Sequence, residues 1–273
     1  MFGGQAGRGA TGRGVLGRGG LATTAAWALA LAPTPAAAIE GGWDADPARY
    51  PYQVSLEYRG THICAGGVLG ATTVLVPAHC ADVMAHSQLA VRPAAAEGRT
   101  KPGPAPSRPG ARAVAKVALH PDYDQTTGRA DLAVLTLAAP LDLGPGLKAV
   151  GLPGQGTDPS PGTVGTVSGW GAAGPSAVRS PTLRAARVTV AVRGACGGAG
   201  RAVDRWLLCA VPDGAHLRRG DDGNPLMVGG TLVGLAGAPN HPSGTDRARG
   251  GGEAAAFLGT GAYSDWIRTA AAR

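Results

Sequence analysis

The sequence predicts an all-β fold, and three observations carry that expectation. Gly 46 and Pro 22 are both high for 273 residues, while aromatic residues make up only 4%. That mixture suits many short strands joined by turns better than a helical bundle. Hydrophobic residues at 44% against charged residues at 16% supply a core and argue against disorder. Short runs rich in Val, Leu and Thr also recur between Gly/Pro clusters, as strands do.

Taken in order, those runs are Gln53–Tyr58, Thr72–Val76, Leu89–Arg92, Ala113–Leu119, Leu132–Leu137, Thr163–Ser168, Leu183–Val192, Trp206–Ala210, Pro225–Val228 and Thr231–Leu235. One helix is expected, at the end, starting at Tyr263 or Ser264 and carrying Trp266 and Ile267. Residues 93–112 and 239–252, rich in Pro, Gly and Arg, read as solvent loops. The Gly144–Gly156 stretch, with its Pro-Gly turns, reads as a connector between two β units. No internal repeat recurs at a fixed period.

Residues 1–38 read as a secretory signal peptide. Arg8, Arg13 and Arg18 give a positive start without acids, an apolar run follows over Leu21–Leu31, and Ala36-Ala37-Ala38 supplies the small residues of a cleavage site. A cut after Ala36 and a cut after Ala38 both fit, and the latter exposes Ile39. The apolar run is too short to span a bilayer, and no later stretch reaches 18 apolar residues, so no membrane anchorage is expected. A secreted, extracellular chain makes its four cysteines candidate disulfides. Their spacings, Cys64 to Cys80 and Cys196 to Cys209, lack the paired short loops of a zinc site. Four cysteines by themselves allow three pairings.

The net charge of +7 comes from 22 Arg and 3 Lys scattered along the chain. A nucleic-acid binder would cluster them in a recognisable module, so no nucleic-acid partner is expected. Arg218, Arg219, Arg247 and Arg249 would form a basic patch for an anionic polysaccharide or acidic peptide; dispersed solvent-facing arginines are the plainer account. No run of carboxylates suits calcium, and no metal or cofactor is expected.

Four separated segments carry the chemistry: Ile39-Glu40-Gly41-Gly42, Pro77-Ala78-His79-Cys80, Ala130-Asp131-Leu132-Ala133-Val134-Leu135, and Gly220-Asp221-Asp222-Gly223-Asn224-Pro225-Leu226. Supporting pieces lie between and after them: His62-Ile63-Cys64-Ala65-Gly66-Gly67, Val167-Ser168-Gly169-Trp170-Gly171 and Asp265-Trp266-Ile267. A lone His-Cys pair is usually a bridge flank, and a lone Asp before an apolar strand is usually a turn residue. The ordered set resembles the trypsin-like (chymotrypsin-fold) serine proteases over essentially all of 39–273. The resemblance implies two six-stranded antiparallel Greek-key barrels and a C-terminal helix. The first barrel, 39–150, would hold His79 and Asp131; the second, 151–273, would hold Asp222.

In that family acyl transfer uses a nucleophile deprotonated by an imidazole, a carboxylate that orients the imidazole, and backbone N–H groups for the oxyanion. The resemblance implies that His79 is the base, Asp131 its orienting acid and Gly220 the oxyanion-hole glycine. Asp221 would pair with the freed α-amino group of Ile39. It further implies the disulfides Cys64–Cys80 and Cys196–Cys209, each contributing ~3 kcal/mol by loop closure.

The nucleophile position holds Asp222 instead of serine. A carboxylate has no proton for His79 to remove, and it puts a fixed negative charge where the oxyanion should develop. Losing a triad nucleophile costs roughly a millionfold in turnover. Between Asp131 and Asp222, His79 should be favoured as the imidazolium. Substrate-binding positions depart as well. His216 falls at the base of the specificity pocket, Gly237-Ala238-Pro239 stands where many relatives have Ser-Trp-Gly, and Ala255 stands at a pocket-wall glycine. Pro239 has no N–H to offer a substrate. The leading expectation is an inactive, monomeric homologue that binds a protein or peptide. The alternative is an active serine-type endopeptidase with another mechanism. A decaying gene product without a selected role is a third reading.

Overall fold

The computed structural model describes residues 1, 39–96, 110–173, 178–180, 182–196, 206–217, 220–237 and 254–273. The expected leader over 2–38, the loop 239–252, Pro239, and Arg218, Arg219, Arg247 and Arg249 lie outside the described residues. Residues 35–273 form one compact unit.

A two-residue strand, β1 (Trp43–Asp44), precedes β2 (Gln53–Tyr58), β3 (Thr61–Gly70), β4 (Thr73–Val76), β5 (Leu89–Pro93), β6 (Arg112–Leu119) and β7 (Ala133–Leu137). Strands β2 to β7 close into a barrel in the order β2-β3-β4-β7-β6-β5. After a connector come β8 (Val164–Gly169), the short pair β9 (Ala172–Ala173) and β10 (Val178–Arg179), then β11 (Arg184–Val190), β12 (Leu207–Pro212), β13 (Pro225–Val228), β14 (Thr231–Ala236) and β15 (Ala255–Gly259). The second ring runs β8-β11-β12-β15-β14-β13 and closes through β13–β8 pairing. Both barrels therefore use one order, first-second-third-sixth-fifth-fourth, though no repeat is visible in the sequence. Trp43 and Asp44 pair with Ala185 and Arg184 of the second barrel, so the N-terminal segment crosses to the barrel it does not directly precede. Among the described residues there is one α-helix, α1 (Ser264–Ala271), which follows β15.

Closure removes sheet edges and buries both faces of several strands. Along β4, Val74 and Val76 pack inside the first barrel while Leu75, between them, turns outward. Leu75 joins Leu132 and Val134 in a second core with Leu232, Leu235, Leu258 and Ile267, which welds the barrels and α1 together. This two-sided burial explains why β4 and β7 read as continuous apolar runs without alternation. The second barrel fills with Val167, Val188, Leu226 and Phe257. Trp266 and Tyr263 at the start of α1 clasp the His120 ring, with centroids 4.6 and 5.0 Å away.

Apart from the two-residue strands β1, β9 and β10, two barrel strands escape the apolar-run signal. β3 carries glycines that break the pattern; a Cβ at Gly66 would stand 2.6 Å from the Leu75 carbonyl oxygen, so the close approach of β4 demands glycine. β15 begins Ala255-Ala256, whose small side chains carry little strand preference, and its identity comes from pairing with β12 and β14.

Candidate functional site

Each half of the site comes from a different barrel. His79 sits on a short 3-10 turn, Ala78–Cys80, just after β4. Its neighbour Cys80 is bridged to Cys64 of β3, and the Ala78 N–H donates to the Asp131 carbonyl oxygen at 3.1 Å. Asp131 stands immediately before β7 and is fully buried. Ala130 before it adopts φ +49, and the Leu132 N–H returns to the Ala130 carbonyl at 2.7 Å, a tight turn that presents the Asp131 carboxylate to His79. The His79 backbone N–H donates to Asp131 Oδ1 at 2.7 Å, and ring Nδ1 to Oδ2 at 2.6 Å. Both carboxylate oxygens are thus used to fix one residue. The other ring nitrogen, Nε2, lies 3.4 Å from Cys80 Sγ. Cys64, His79 and Cys80 lie close enough to suggest a metal triad. Both sulfurs are consumed in the disulfide, so no thiolate is available to ligate.

The second half is the turn before β13. Gly220 enters it with φ +90, and Asp221 is fully buried, accepting from Asn224 Nδ2 at 2.9 Å. Asp222 follows, half-buried. Its carbonyl accepts from the Ala65 N–H of β3 at 2.9 Å, a bond between the barrels that brings residue 222 to the His79 side. Gly223 makes that bond possible, because a Cβ there would lie 2.1 Å from the Ala65 oxygen. The turn is held to β14 by Gly223 N–H to the Ala236 carbonyl at 2.7 Å and Ala236 N–H to the Asn224 carbonyl at 2.9 Å.

Charge sets the state of the base. Burial by itself pulls the His79 pKa down, but the hydrogen bond donated to Asp131, the Asp131 charge and the Asp222 charge together outweigh it and raise the pKa above the ordinary histidine value. This is the direction expected for an imidazole between two carboxylates.

The remaining predicted residues fall around the second barrel. Ile39 is fully buried in the core with Ala215 and Leu217. The half-buried His216 donates its N–H to the Glu40 carbonyl at 2.7 Å, which ties the N-terminal segment to the expected pocket base. Ala255 is buried at the start of β15, and Gly237 directly follows β14, against Asp222. Cys196 and Cys209 are bridged.

Two further residues join the site, Asn224 from within the quoted Gly220–Leu226 segment and Tyr123 from outside every quoted segment. Asn224 is buried and partners Asp221; an amide inside the otherwise apolar Asn224–Met227 run is its signal. Tyr123 presents a buried hydroxyl near Asp131, and burial, followed by the charges of Asp131, Asp82 and Asp124, pushes its pKa up to about 12. Nothing in its turn-like surroundings signals that placement.

Comparison with known proteins matches this architecture throughout. The family model Trypsin matches residues 39–267. Trypsin alpha of Drosophila erecta is 30% identical over 205 residues, covering 72% of this chain and 75% of that protein. Hypodermin-B of Hypoderma lineatum is 31% identical over 206 residues, covering 72% and 75%. Among solved structures, the scabies mite inactivated protease paralogue S-D1 superimposes with a TM-score of 0.70 at 26% identity, covering 84% of this chain and 96% of that one. Neuropsin, a serine protease expressed in the limbic system of mouse brain, gives 0.70 at 25% identity, covering 85% and 99%.

Proposed function

The chain belongs to the trypsin family, and on that premise we propose that it is a secreted, catalytically inactive member that acts by binding. The carrying observation is Asp222, held against the first barrel by the Ala65 bond at the position where the family keeps its serine. Its carboxylate offers no hydroxyl to activate. The pKa of His79 is raised beside two carboxylates, which favours the imidazolium, and an imidazolium cannot serve as a general base. The superimposable scabies mite paralogue is itself described as inactivated, which makes loss of activity on this fold a precedent.

The rival, an active serine-type endopeptidase, draws on the intact His79–Asp131 pair. A fluorophosphonate probe and a broad peptide panel separate the two. The inactive reading expects neither labelling nor cleavage, and labelling that survives further purification sinks it. Asp222→Ser should restore weak activity at most, because the expected pocket positions differ as well.

Export is supported by the leader-like residues 1–38 and by two disulfides. Among the described residues no helix is long and apolar enough to cross a membrane. Ile39 favours a cut directly before it. A β-branched residue at φ +43 is strained in an unbroken chain, and an N-terminal residue has no such torsion. Mass analysis of the secreted protein should find Ile39 first; an Ala37 start sinks that assignment. The partner is proposed to be a protein or peptide bound by a monomer, for capture from the culture medium by the purified chain and identification by mass spectrometry.

A further inference from the structure

Three glycines surround the 221–224 turn, and each lacks a side chain for a different reason. A Cβ at Gly223 would meet the Ala65 backbone oxygen at 2.1 Å, which nothing can relieve without moving β3. A Cβ at Gly169 would meet the Asn224 amide, with Oδ1 at 1.8 Å. At Gly237 the three atoms nearest to an added Cβ all belong to Asp222: Oδ1 at 2.7 Å, Cα at 3.4 Å and Cβ at 3.5 Å. The first glycine accommodates backbone. The third accommodates the one side chain that sets this site apart.

We propose that Gly237 is the seat of the Asp222 carboxylate: the carbon missing at 237 leaves the space that Oδ1 enters, and this fixes where the negative charge stands relative to His79. The inference deepens the reading of residue 222 as a disabled nucleophile position. Any side chain at 237, a serine included, would put a carbon into that space and turn the carboxylate elsewhere. The backbone of Gly237 also adopts φ +104, a conformation that side chains rarely take. The two positions therefore act as a unit, and the alteration of the site spans both barrel-two residues rather than one. Gly237 is in this sense a positioning residue. It contacts the carboxylate and acts on the imidazole only through it.

The charged groups acting on His79 are Asp131 and Asp222, so the His79 titration reports where the second one stands. The experiment follows the His79 ring protons by NMR through a pH titration in four proteins: the wild type, Gly237→Ala, Asp222→Asn, and the double variant. Gly237→Ala should move the His79 titration in the wild-type background and leave it unmoved in the Asp222→Asn background. Backbone strain at 237 is common to both pairs and cancels in the comparison. Equal movement in the two backgrounds overturns the proposal.

Should the Gly237→Ala proteins not fold, the unaltered glycine supplies the test. Its α-proton resonances should follow the acid titration of a carboxylate in the wild type and lose that response in Asp222→Asn. An unchanged response overturns the proposal. Fluorophosphonate labelling of the wild type would sink the inactive reading while leaving the seat intact. Equal His79 shifts would do the reverse.

Discussion

The two halves of the site differ in how they are held. The first barrel fixes His79 through its own backbone, its ring and the adjacent disulfide, with both Asp131 oxygens engaged. The second barrel offers residue 222 from a turn whose backbone is tied at Ala65 and Ala236, while its side chain rests against a glycine. A half locked by backbone contacts tolerates little change. A half whose backbone is tied on both sides carries an aspartate at 222 with its main-chain bonds intact. The difference teaches that the acid–imidazole pair is ordered by contacts within the first barrel, with an aspartate standing at 222.

The largest expected effect comes from the disulfides. Their sequence separations are 16 and 13, so loop-closure entropy predicts nearly equal losses of about 3 kcal/mol for removing either one. For a chain of this size that is a fall of roughly 6–12 °C in Tm. Only Cys64→Ser/Cys80→Ser should also displace the His79 ring resonances; the same displacement in Cys196→Ser/Cys209→Ser would erase the contrast between the halves.

Next in size is Asp131→Asn, which removes a buried charge accepting two hydrogen bonds. Charge-assisted bonds of this kind predict a loss of about 2 kcal/mol in denaturant unfolding, together with a lower His79 titration. A cost below that of a typical surface substitution would show that the first half is less firmly held than its geometry implies.

The pH dependence is subtler. A raised imidazole pKa means that the folded chain binds its proton more tightly than the unfolded chain does. The added stability is complete below the unfolded value of ~6.5 and is lost as pH rises through the folded value. Tm should therefore decline across that window. In Asp222→Asn the decline should fall at lower pH, since one of the raising charges is gone. Burial shifts His120, clasped by Trp266 and Tyr263, downward, which gives the opposite slope; the difference between wild type and variant isolates His79. Identical profiles would mean that Asp222 does not act on the imidazole.

The smallest effect is expected at Ala130, whose φ of +49 is costly for an L-residue with a side chain. Ala130→Gly should relieve that strain and, after the entropy of glycine in the unfolded chain, stabilise by less than about 1 kcal/mol. Destabilisation would show that the turn presenting Asp131 is not strained.

Much of the fold is legible in the amino-acid sequence. Strands β2 and β13 coincide with their apolar runs, and β6, β7 and β8 differ only by a residue or two at their ends. β3 and β15 stay hidden because glycine and alanine carry no strand pattern; the reasons for them lie on neighbouring strands, at Leu75 and along β12 and β14. Asp131 and His79 are readable from motifs. The position of Tyr123 beside a buried acid is not, since it is set by contacts across a turn and not by a periodic signal.

The amino-acid order alone determined which residue types stand at the chemical positions, above all an aspartate at 222, because identity needs no neighbours to be read. Only the tertiary structure decided how that aspartate is housed. Ala65 from one barrel and Gly237 from the other meet it across 157 and 15 residues of chain respectively, and contacts between segments so separated depend on barrel closure and packing, which no local run of sequence records.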